Sequence, residues 1–247
     1  MKKLTTILFL ILSFNAVLWA ENIKVFAASS TKLAMQEIVK EFEFKNPNDK
    51  IEVTYSATGK AYSQLTNGLD YDIFMAADSK HPQKIIQDSL AIGEAKVYAL
   101  GIVALYSHNE SLAAKGIESI KDAGVKHLSI ANPKLAPYGE AAMEILKNYN
   151  LEDIAKSKLV LGDNIAQSVQ FVDSHAAEVG IVAFSLIKKD KKASEYKLID
   201  TTKYTPMEQS FVLTKYAKNK PLALKFSDFI LSQRAKDIFK EYGFGVK

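Results

Sequence analysis

Four turns between apolar and amphipathic segments carry most of the binding chemistry that this sequence offers. They are Ser29-Ser30-Thr31, Ser56-Ala57-Thr58-Gly59, Ala136-Pro137-Tyr138-Gly139 and Gly162-Asp163-Asn164-Ile165. The first N–H groups of a helix have no intrahelical partner, and the helix dipole adds partial positive charge at the same place. The hydroxyl groups of Ser29, Ser30 and Thr58 add further donors. Together, such turns could bind an anion.

Taken singly, each turn is also typical of an ordinary helix start. Ser, Thr, Asp and Asn residues before a helix commonly cap its N–H groups, and this is the expected role of Asp163. Pro137 suits a first helical position, where its missing N–H costs nothing. Small residues such as Ala28, Ala57 and Gly59 let a ligand approach the backbone closely. The residues alone therefore indicate an anion site without naming the anion.

A regular alternation of predicted strands and helices determines where these turns lie in the fold. The apolar pattern predicts strands at 23–28, 51–55, 73–77, 100–106, 127–131, 159–161, 180–183 and 209–213. It predicts helices at 31–44, 59–65, 138–148, 165–174, 221–232 and 234–242, with another that Asp78 or Ser79 could cap. Repeated β-α-β order indicates an α/β fold with mostly parallel sheets flanked by helices. The polar turns then lie at the carboxyl ends of strands, where open α/β sheets bind ligands.

The N-terminal segment 1–20 has the pattern of a secretory signal peptide. Lys2 and Lys3 precede a mostly apolar run from 4 to 12, and Ala20 stands before the polar Glu21. Ser13 and Asn15 interrupt the apolar run, which is shorter than the roughly 20 residues of a membrane-spanning helix. Removal of the segment takes away two lysines and no acidic residue, so the net charge falls from +4 to +2. We expect an exported, periplasmic protein.

Composition removes several other classes of site and partner. The sequence has no cysteine, which excludes disulfides, thiolate metal sites and a lipoprotein signal. The lysines are spread along predicted helix faces without an aromatic platform, so nucleic acid is not an expected partner. The histidines never stand at a paired-ligand spacing, so no direct cation site is predicted; they are His81, His108, His127 and His175.

Several segments, in order along the chain, resemble one protein family. Two of them, Val25-Phe26-Ala27-Ala28-Ser29-Ser30 and Tyr55-Ser56-Ala57-Thr58-Gly59-Lys60, are similar to segments of the molybdate-binding proteins that serve bacterial ABC importers. The likeness continues through the segments 71–78, 132–139, 180–182 and 239–244. It covers essentially the whole chain after the signal segment, and it depends on the combination of segments because no single motif is decisive.

That resemblance implies a periplasmic solute-binding protein with two α/β lobes that close around the ligand. Residues 21–99 with 207–247 would form lobe 1, and residues 100–206 would form lobe 2. The resemblance also implies that the ligand is a tetrahedral oxyanion, molybdate or tungstate, and that the protein has neither a cofactor nor an enzymatic activity. The implied partner is the transmembrane permease of an ABC importer. We expect the protein to be a monomer.

The same resemblance implies a role for individual residues. Ser30 matches the family's hydroxyl ligand in the first turn, with Ser29 adjacent to it. Thr58 stands at the position of the second-turn hydroxyl. Tyr138 occupies the third-turn position, and Ile165 occupies the fourth, where the family uses a backbone N–H. These five residues are the predicted oxyanion ligands.

One residue departs from part of the family. Some members have a tyrosine ligand directly after Gly-Ile-Val, and this sequence has Ala183 there. Tyr138 is expected to supply the phenol instead, an arrangement similar to another branch of the family. A fully ionised oxyanion only accepts hydrogen bonds, so its site should offer donors and no carboxylate. Phosphate keeps a proton near neutral pH and would require an acceptor.

The residues leave two alternative functions open. Sulfate shares the donor-only requirement, and only the size of the cavity would separate it from molybdate. An exported serine acyl-transfer enzyme is the alternative from a different class, because Ser29 and Lys32 form an S-x-x-K motif. The companion S-D-N and K-T-G elements of that enzyme class are missing from the sequence.

Overall fold

The computed structural model describes residues 21–246 and contains two β-sheets. Strands from both ends of the chain build the first sheet. The strands within that range are β1 (Asn22–Ala28), β2 (Lys50–Ser56), β3 (Ile73–Met75), β4 (Ala91–Gly101), β5 (Val103–Tyr106), β6 (Leu128–Ala131), β7 (Leu159–Gly162), β8 (Val179–Ala183), β9 (Tyr196–Leu198) and β10 (Met207–Thr214). The first sheet has the order β2-β1-β3-β10-β4, and the second has the order β7-β6-β8-β5-β9. The predicted signal segment, 1–20, lies outside the described residues.

Helices cover these sheets. The α-helices in the described range are α1 (Lys32–Lys45), α2 (Thr58–Thr66), α3 (Lys80–Gln87), α4 (Glu110–Lys115), α5 (Pro137–Asn148), α6 (Glu152–Lys156), α7 (Ile165–Asp173), α8 (Pro221–Ile230) and α9 (Gln233–Glu241). No helix among residues 21–246 is long and apolar enough to cross a membrane.

The α/β class with two helix-flanked sheets is confirmed, and each sheet is mixed. In the first sheet β1 runs parallel to β2 and β3, whereas β10 runs antiparallel to β3 and β4. In the second sheet β6 runs parallel to β7 and β8, whereas β5 runs antiparallel to β8 and β9. The antiparallel strands adjoin the two crossings between the sheets, since β4 and β5 flank one crossing and β10 follows the other.

Apolar side chains hold the helices against the first sheet on both of its faces. On one face Met35, Ile38 and Phe226 belong to a buried cluster beneath α1 and α8. On the other face Phe26 and Phe74 pack with their ring centroids 4.5 Å apart, in a cluster that α2 and α3 cover. Burial of side chains of this size is the main stabilising contribution to such a fold, at about 25 cal/mol per Å² of apolar surface.

A third buried cluster fills the second sheet and extends to the first. It contains Ile145 of α5 and Val169 of α7, which pack beside the strands of the second sheet. It also contains Ala28, Ala57 and Ala77, which stand at the carboxyl ends of strands in the first sheet. Three small side chains at this junction let the two sheets approach closely.

The predicted single strand at 100–106 is wrong. β4 belongs to the first sheet and ends at Gly101, and β5 belongs to the second sheet and begins at Val103. Ile102 therefore lies where the chain crosses between the sheets. The residues on both sides of this crossing are buried and apolar, so hydrophobic periodicity does not mark it. Met207 of β10 pairs with Gly101, so the returning chain lies beside the outgoing one.

Candidate functional site

The four polar turns converge on one small cavity between the two sheets. Its water-accessible volume is only about 10 Å³. It contains all five residues predicted as oxyanion ligands, because the carboxyl ends of β1, β2, β6 and β7 all point toward it. The lining residues are Ala28, Ser29, Ser30, Ser56, Ala57, Thr58, Ala77, Ala136, Pro137, Tyr138 and Ile165.

Helix starts supply backbone N–H groups around the cavity. α2 begins at Thr58 and α5 begins at Pro137, and no side chain caps either helix start. A 3₁₀-helix, Ser29–Thr31, follows β1 and also has no side-chain cap. Free N–H groups and the positive ends of helix dipoles attract an anion. No side chain caps these three turns, although the N–H of Gly59 in α2 donates to the carbonyl oxygen of Leu135 and Pro137 has no N–H.

The fourth turn is capped by a residue other than the one predicted. The side chain of Asn164 accepts hydrogen bonds from the N–H groups of Ala166 and Gln167, at 3.0 and 3.2 Å, and so caps α7. Asp163 was expected to be the cap, but its own backbone N–H donates to Oε1 of Gln167 at 2.6 Å. Asparagine is as good a cap as aspartate. The Asn164 cap engages the second and third residues of α7 and leaves the N–H of Ile165 at the cavity.

The Thr58 hydroxyl is oriented by a backbone group. The N–H of Ala77 donates to Oγ1 of Thr58 at 3.0 Å, in a part of the structure where Thr58 is 1% exposed. A hydroxyl has one hydrogen to donate, and this contact uses one of its lone pairs. The hydrogen of Thr58 is thus available to a ligand in the cavity.

Ser30 lies at a contact between the two sheets. Its carbonyl oxygen accepts a hydrogen bond from the hydroxyl of Ser185, which belongs to a 3₁₀-helix, Phe184–Leu186, that follows β8. This bond is 2.8 Å long, and both residues are buried. The hydroxyl of Ser30 itself is 3.5 Å from Oε1 of Gln209. Its contact with Gln209 is long, and the Ser30 hydroxyl also lies within hydrogen-bonding reach of the Tyr138 phenol.

Tyr138 contributes a phenol that is almost wholly buried, with 1% exposure. Burial raises the pKa of Tyr138 well above its ordinary value, so the phenol is neutral and keeps its proton. Nε2 of Gln209 donates to the phenolic oxygen at 3.2 Å. A Cβ atom at Gly101 would stand only 2.7 Å from that oxygen, which explains why a glycine occupies the end of β4.

The cavity offers donors and no carboxylate. Among its described lining residues, the side chains are hydroxyls, one phenol and apolar groups. The nearest acidic residue in sequence to Ala77 is Asp78, whose carboxylate accepts from both the backbone N–H and the ring Nδ1 of His81. The arrangement can therefore bind a small anion that carries no proton.

Sequence reasoning missed Gln209, Ser185 and Tyr98, which support the cavity from behind. Gln209 is fully buried within β10, and a polar amide inside an apolar strand was the available signal. Ser185 stands two residues after Ala183, the position where part of the family has tyrosine. Its hydroxyl reaches the backbone of Ser30, so this segment supports the first turn even without a phenol.

The S-x-x-K motif does not form a catalytic pair. Ser29 and Lys32 both line a surface pocket beside the cavity, together with Tyr55 and Gln167. No hydrogen bond joins Ser29 and Lys32 in the part of the chain that the structure describes. A serine nucleophile needs its base within about 2.6–3.2 Å, so this geometry gives no support to acyl transfer.

The histidines form no metal site. Among residues 21–246 no group of three or more histidine, aspartate or glutamate side chains could hold a metal ion. His108 and His175, distant in sequence, do come together with ring centroids 5.1 Å apart. His108 contacts Glu195 through Nδ1 at 2.9 Å. This pair lies on the second sheet, away from the cavity.

Comparison with known proteins agrees with this geometry over nearly the whole chain. The family described as "Bacterial extracellular solute-binding protein" matches residues 23–245. A molybdate-binding protein of Azotobacter vinelandii is 35% identical over 231 residues, which is 92% of this chain and 91% of that protein. One from Rhodobacter capsulatus is 31% identical over 196 residues, or 78% and 77% of the two chains.

A solved structure shows the same architecture. The periplasmic molybdate-binding protein of Azotobacter vinelandii superimposes with a TM-score of 0.84 and 27% identity, covering 91% of this chain and 99% of that one. The chain belongs to the bacterial extracellular solute-binding protein family, and it is related over most of its length to molybdate-binding proteins of other bacteria.

Proposed function

We propose that this protein binds molybdate or tungstate and delivers it to the permease of an ABC importer. The observation that carries the proposal is the buried cavity at which helix starts from both sheets supply donors and no side chain supplies a carboxylate. The relatives are named for molybdate binding, which supports the same ligand here. Sulfate would satisfy the same donors, so a test of the ligand must include sulfate.

Five residues are proposed to hold the oxyanion. Ser29, Ser30 and Thr58 would donate through hydroxyl or backbone groups of the first two turns. Tyr138 would donate its phenolic hydrogen, and Ile165 would donate its backbone N–H. A hydrogen bond to a charged group contributes about 1.5–3 kcal/mol. Roughly five to seven such bonds would exceed the free energy needed to order the two halves of the site, and tight binding follows.

Closure of two lobes is proposed to complete the site. Lobe 1 would comprise 21–99 with 207–247, and lobe 2 would comprise 100–206. The N–H of Gly59 at the start of α2 donates to the carbonyl oxygen of Leu135 before α5, at 2.9 Å, and so joins the two sides of the cavity. A ligand that contacts both lobes stabilises the closed state by its difference in affinity for the two states. The permease would recognise that closed state.

The cellular setting is part of the proposal. We propose export to the periplasm by cleavage of the segment 1–20, and action as a monomer. We also propose that the protein has no catalytic activity and no resident cofactor, with molybdenum or tungsten held as the oxyanion through protein donors. The family to which the chain belongs and the binding proteins related to it support this setting.

A thermal shift with a panel of oxyanions tests the proposed function. Molybdate and tungstate are expected to raise the melting temperature clearly, sulfate to raise it little, and phosphate not at all. A ligand that binds only the folded state adds about 2.7 kcal/mol to the free energy of unfolding when its concentration is a hundredfold above Kd. Differential scanning fluorimetry at matched ionic strength makes the measurement. A shift with sulfate and none with molybdate or tungstate would contradict the proposal.

Molybdate affinity is expected to stay constant from about pH 7 to about pH 9.5. The cavity's one titratable side chain among its described lining residues is Tyr138, and burial raises its pKa above the ordinary value of about 10. Loss of the phenolic proton would set a negative charge against the anion, so affinity should fall only above that range. Isothermal titration calorimetry at several pH values checks this. A fall in affinity with a midpoint near pH 8.5 that is absent in Tyr138→Phe would show that the phenol titrates early.

A further inference from the structure

Gln209 is a buried amide that lies behind the cavity and does not line it. It stands on β10, two residues after the returning crossing, and its exposure is 0%. A buried amide is costly unless its donors and acceptor find partners. The partners of Gln209 are therefore informative about why it is there.

Both ends of the Gln209 amide are engaged by aromatic hydroxyls. Oε1 accepts from the phenol of Tyr98 at 3.0 Å, and Nε2 donates to the phenol of Tyr138 at 3.2 Å. The hydroxyl of Tyr98 also reaches the carbonyl oxygen of Ala76 at 2.9 Å. Tyr98 is buried and its pKa is raised by that burial, so it remains a neutral donor that faces two acceptors. Because the single hydrogen of Tyr98 is shared between these two acceptors, the direction of the amide rests on its other contacts. Its Nε2 lies toward Tyr138, and its Oε1 lies 3.5 Å from the hydroxyl of Ser30.

The direction of the hydrogen bond between Gln209 and Tyr138 decides whether the Tyr138 phenol can donate a hydrogen bond into the cavity. A phenol has one hydrogen to give and lone pairs with which to accept. Because the oxygen of Tyr138 accepts from Gln209, its hydrogen is left for an acceptor on the cavity side, where the hydroxyls of Ser30 and Ser185 also lie within hydrogen-bonding reach. Gly101 gives both groups room, since a Cβ atom there would stand 2.7 Å from the Tyr138 oxygen and 2.8 Å from Nε2 of Gln209.

We propose that Gln209 is a positioning residue that holds the Tyr138 phenol as a donor toward the bound oxyanion. It thereby keeps the site donor-only and favours oxyanions without a proton. The inference rests on the proposed function, because it names what one buried side chain does for that site. Without the amide, the phenol could turn and accept a hydrogen bond, and discrimination against protonated oxyanions would weaken.

A double-mutant cycle tests the proposal. Isothermal titration calorimetry with molybdate would compare the wild type with Gln209→Met, Tyr138→Phe and the double variant. We expect Gln209→Met to weaken binding about tenfold, and the double variant to bind within about twofold of Tyr138→Phe. A loss in the double variant equal to the product of the two single losses would overturn the proposal, because Gln209 would then act independently of the phenol.

Two further variants separate positioning from folding. Gln64→Met is the matched control, since the Gln64 amide oxygen also accepts from a tyrosine, Tyr71, at 3.2 Å, but away from the cavity. It should leave affinity unchanged. Gln209→Glu keeps the shape of the side chain, and at about pH 9, where even a buried carboxyl ionises, it replaces the donating nitrogen by an acceptor. At that pH it should weaken molybdate binding more than Gln209→Met does. Equal or tighter binding by Gln209→Glu would contradict the assigned direction of the bond.

The controls also separate this inference from the proposed function. Melting curves without ligand identify any variant that is unfolded, and Gln209→Glu then stands in for Gln209→Met. If the wild type binds neither molybdate nor tungstate, the proposed function itself fails. If the wild type binds molybdate and neither Gln209 variant differs from it by more than twofold, only the positioning role fails.

Discussion

Gly59→Ala is expected to weaken molybdate binding by about tenfold to a hundredfold without destabilising the unliganded protein. A Cβ atom at this position would stand 2.9 Å from the carbonyl oxygen of Leu135, which is a backbone atom on the other side of the cavity. The closed arrangement could form only by moving one side away, at a cost of about 1–3 kcal/mol. Within α2 itself, alanine is a better helix residue than glycine by about 1 kcal/mol. Affinity and unliganded stability should therefore change in opposite directions.

Gly124→Ala is the matched control for this prediction. A Cβ atom at Gly124 would meet no atom within 4 Å, so the same chemical change should leave affinity and melting temperature nearly unchanged. Calorimetry gives the affinities, and small-angle scattering with molybdate reports whether the variant closes. Wild-type affinity in Gly59→Ala would show that the contact with Leu135 is not needed for binding.

Thr58→Val is expected to lower molybdate affinity by about tenfold to a hundredfold, whereas Thr58→Ser should stay within about threefold of the wild type. The hydroxyl of Thr58 accepts from the N–H of Ala77, so its hydrogen is directed to the cavity. Valine has nearly the same shape and lacks this donor, whose bond to a charged ligand contributes about 1.5–3 kcal/mol. Serine keeps the donor. Ser30→Ala should weaken binding in the same direction.

Thr58→Val should also lower the unliganded melting temperature, because the buried N–H of Ala77 loses its partner at a cost of about 1–3 kcal/mol. Calorimetry and ligand-free melting curves measured on the same samples separate the two effects. If Thr58→Val and Thr58→Ser bind molybdate equally well, the threonine hydroxyl is not a ligand, whatever happens to stability.

Local chemistry made the helix starts around the cavity predictable. Predicted strands ended at Ala28, Tyr55 and Ala131, within one residue of the observed ends, and the amphipathic patterns of α2, α5 and α7 began within one residue of the observed starts. Pro137 is the first residue of α5, as its missing N–H predicts. The convergence of these turns on one cavity was not contained in any local pattern. We predicted this convergence only because the whole chain resembles a known family.

Features that depend on the pairing of distant segments could not be predicted. The change of sheet at Ile102 lies inside a continuous apolar run, so only the strand pairing reveals it. The long strand β4 was missed over most of its length, since its exposed polar residues, such as Glu94 and Lys96, hide its pattern. Gln209 is 71 positions from Tyr138 in sequence, and its role exists only once β10 lies beside β4.

The burial of the cavity also has a kinetic consequence. Ser30, Thr58 and Tyr138 are each 1% exposed, so a ligand held among them would be largely shielded from solvent. On the proposed closure, its escape requires the contact between Gly59 and Leu135 to separate first. The residence time would then be set by how often the liganded protein opens, a step that must also break the bonds of the oxyanion to one lobe. Prompt delivery would require the membrane partner to lower that opening barrier, so transport speed would be a property of the complex.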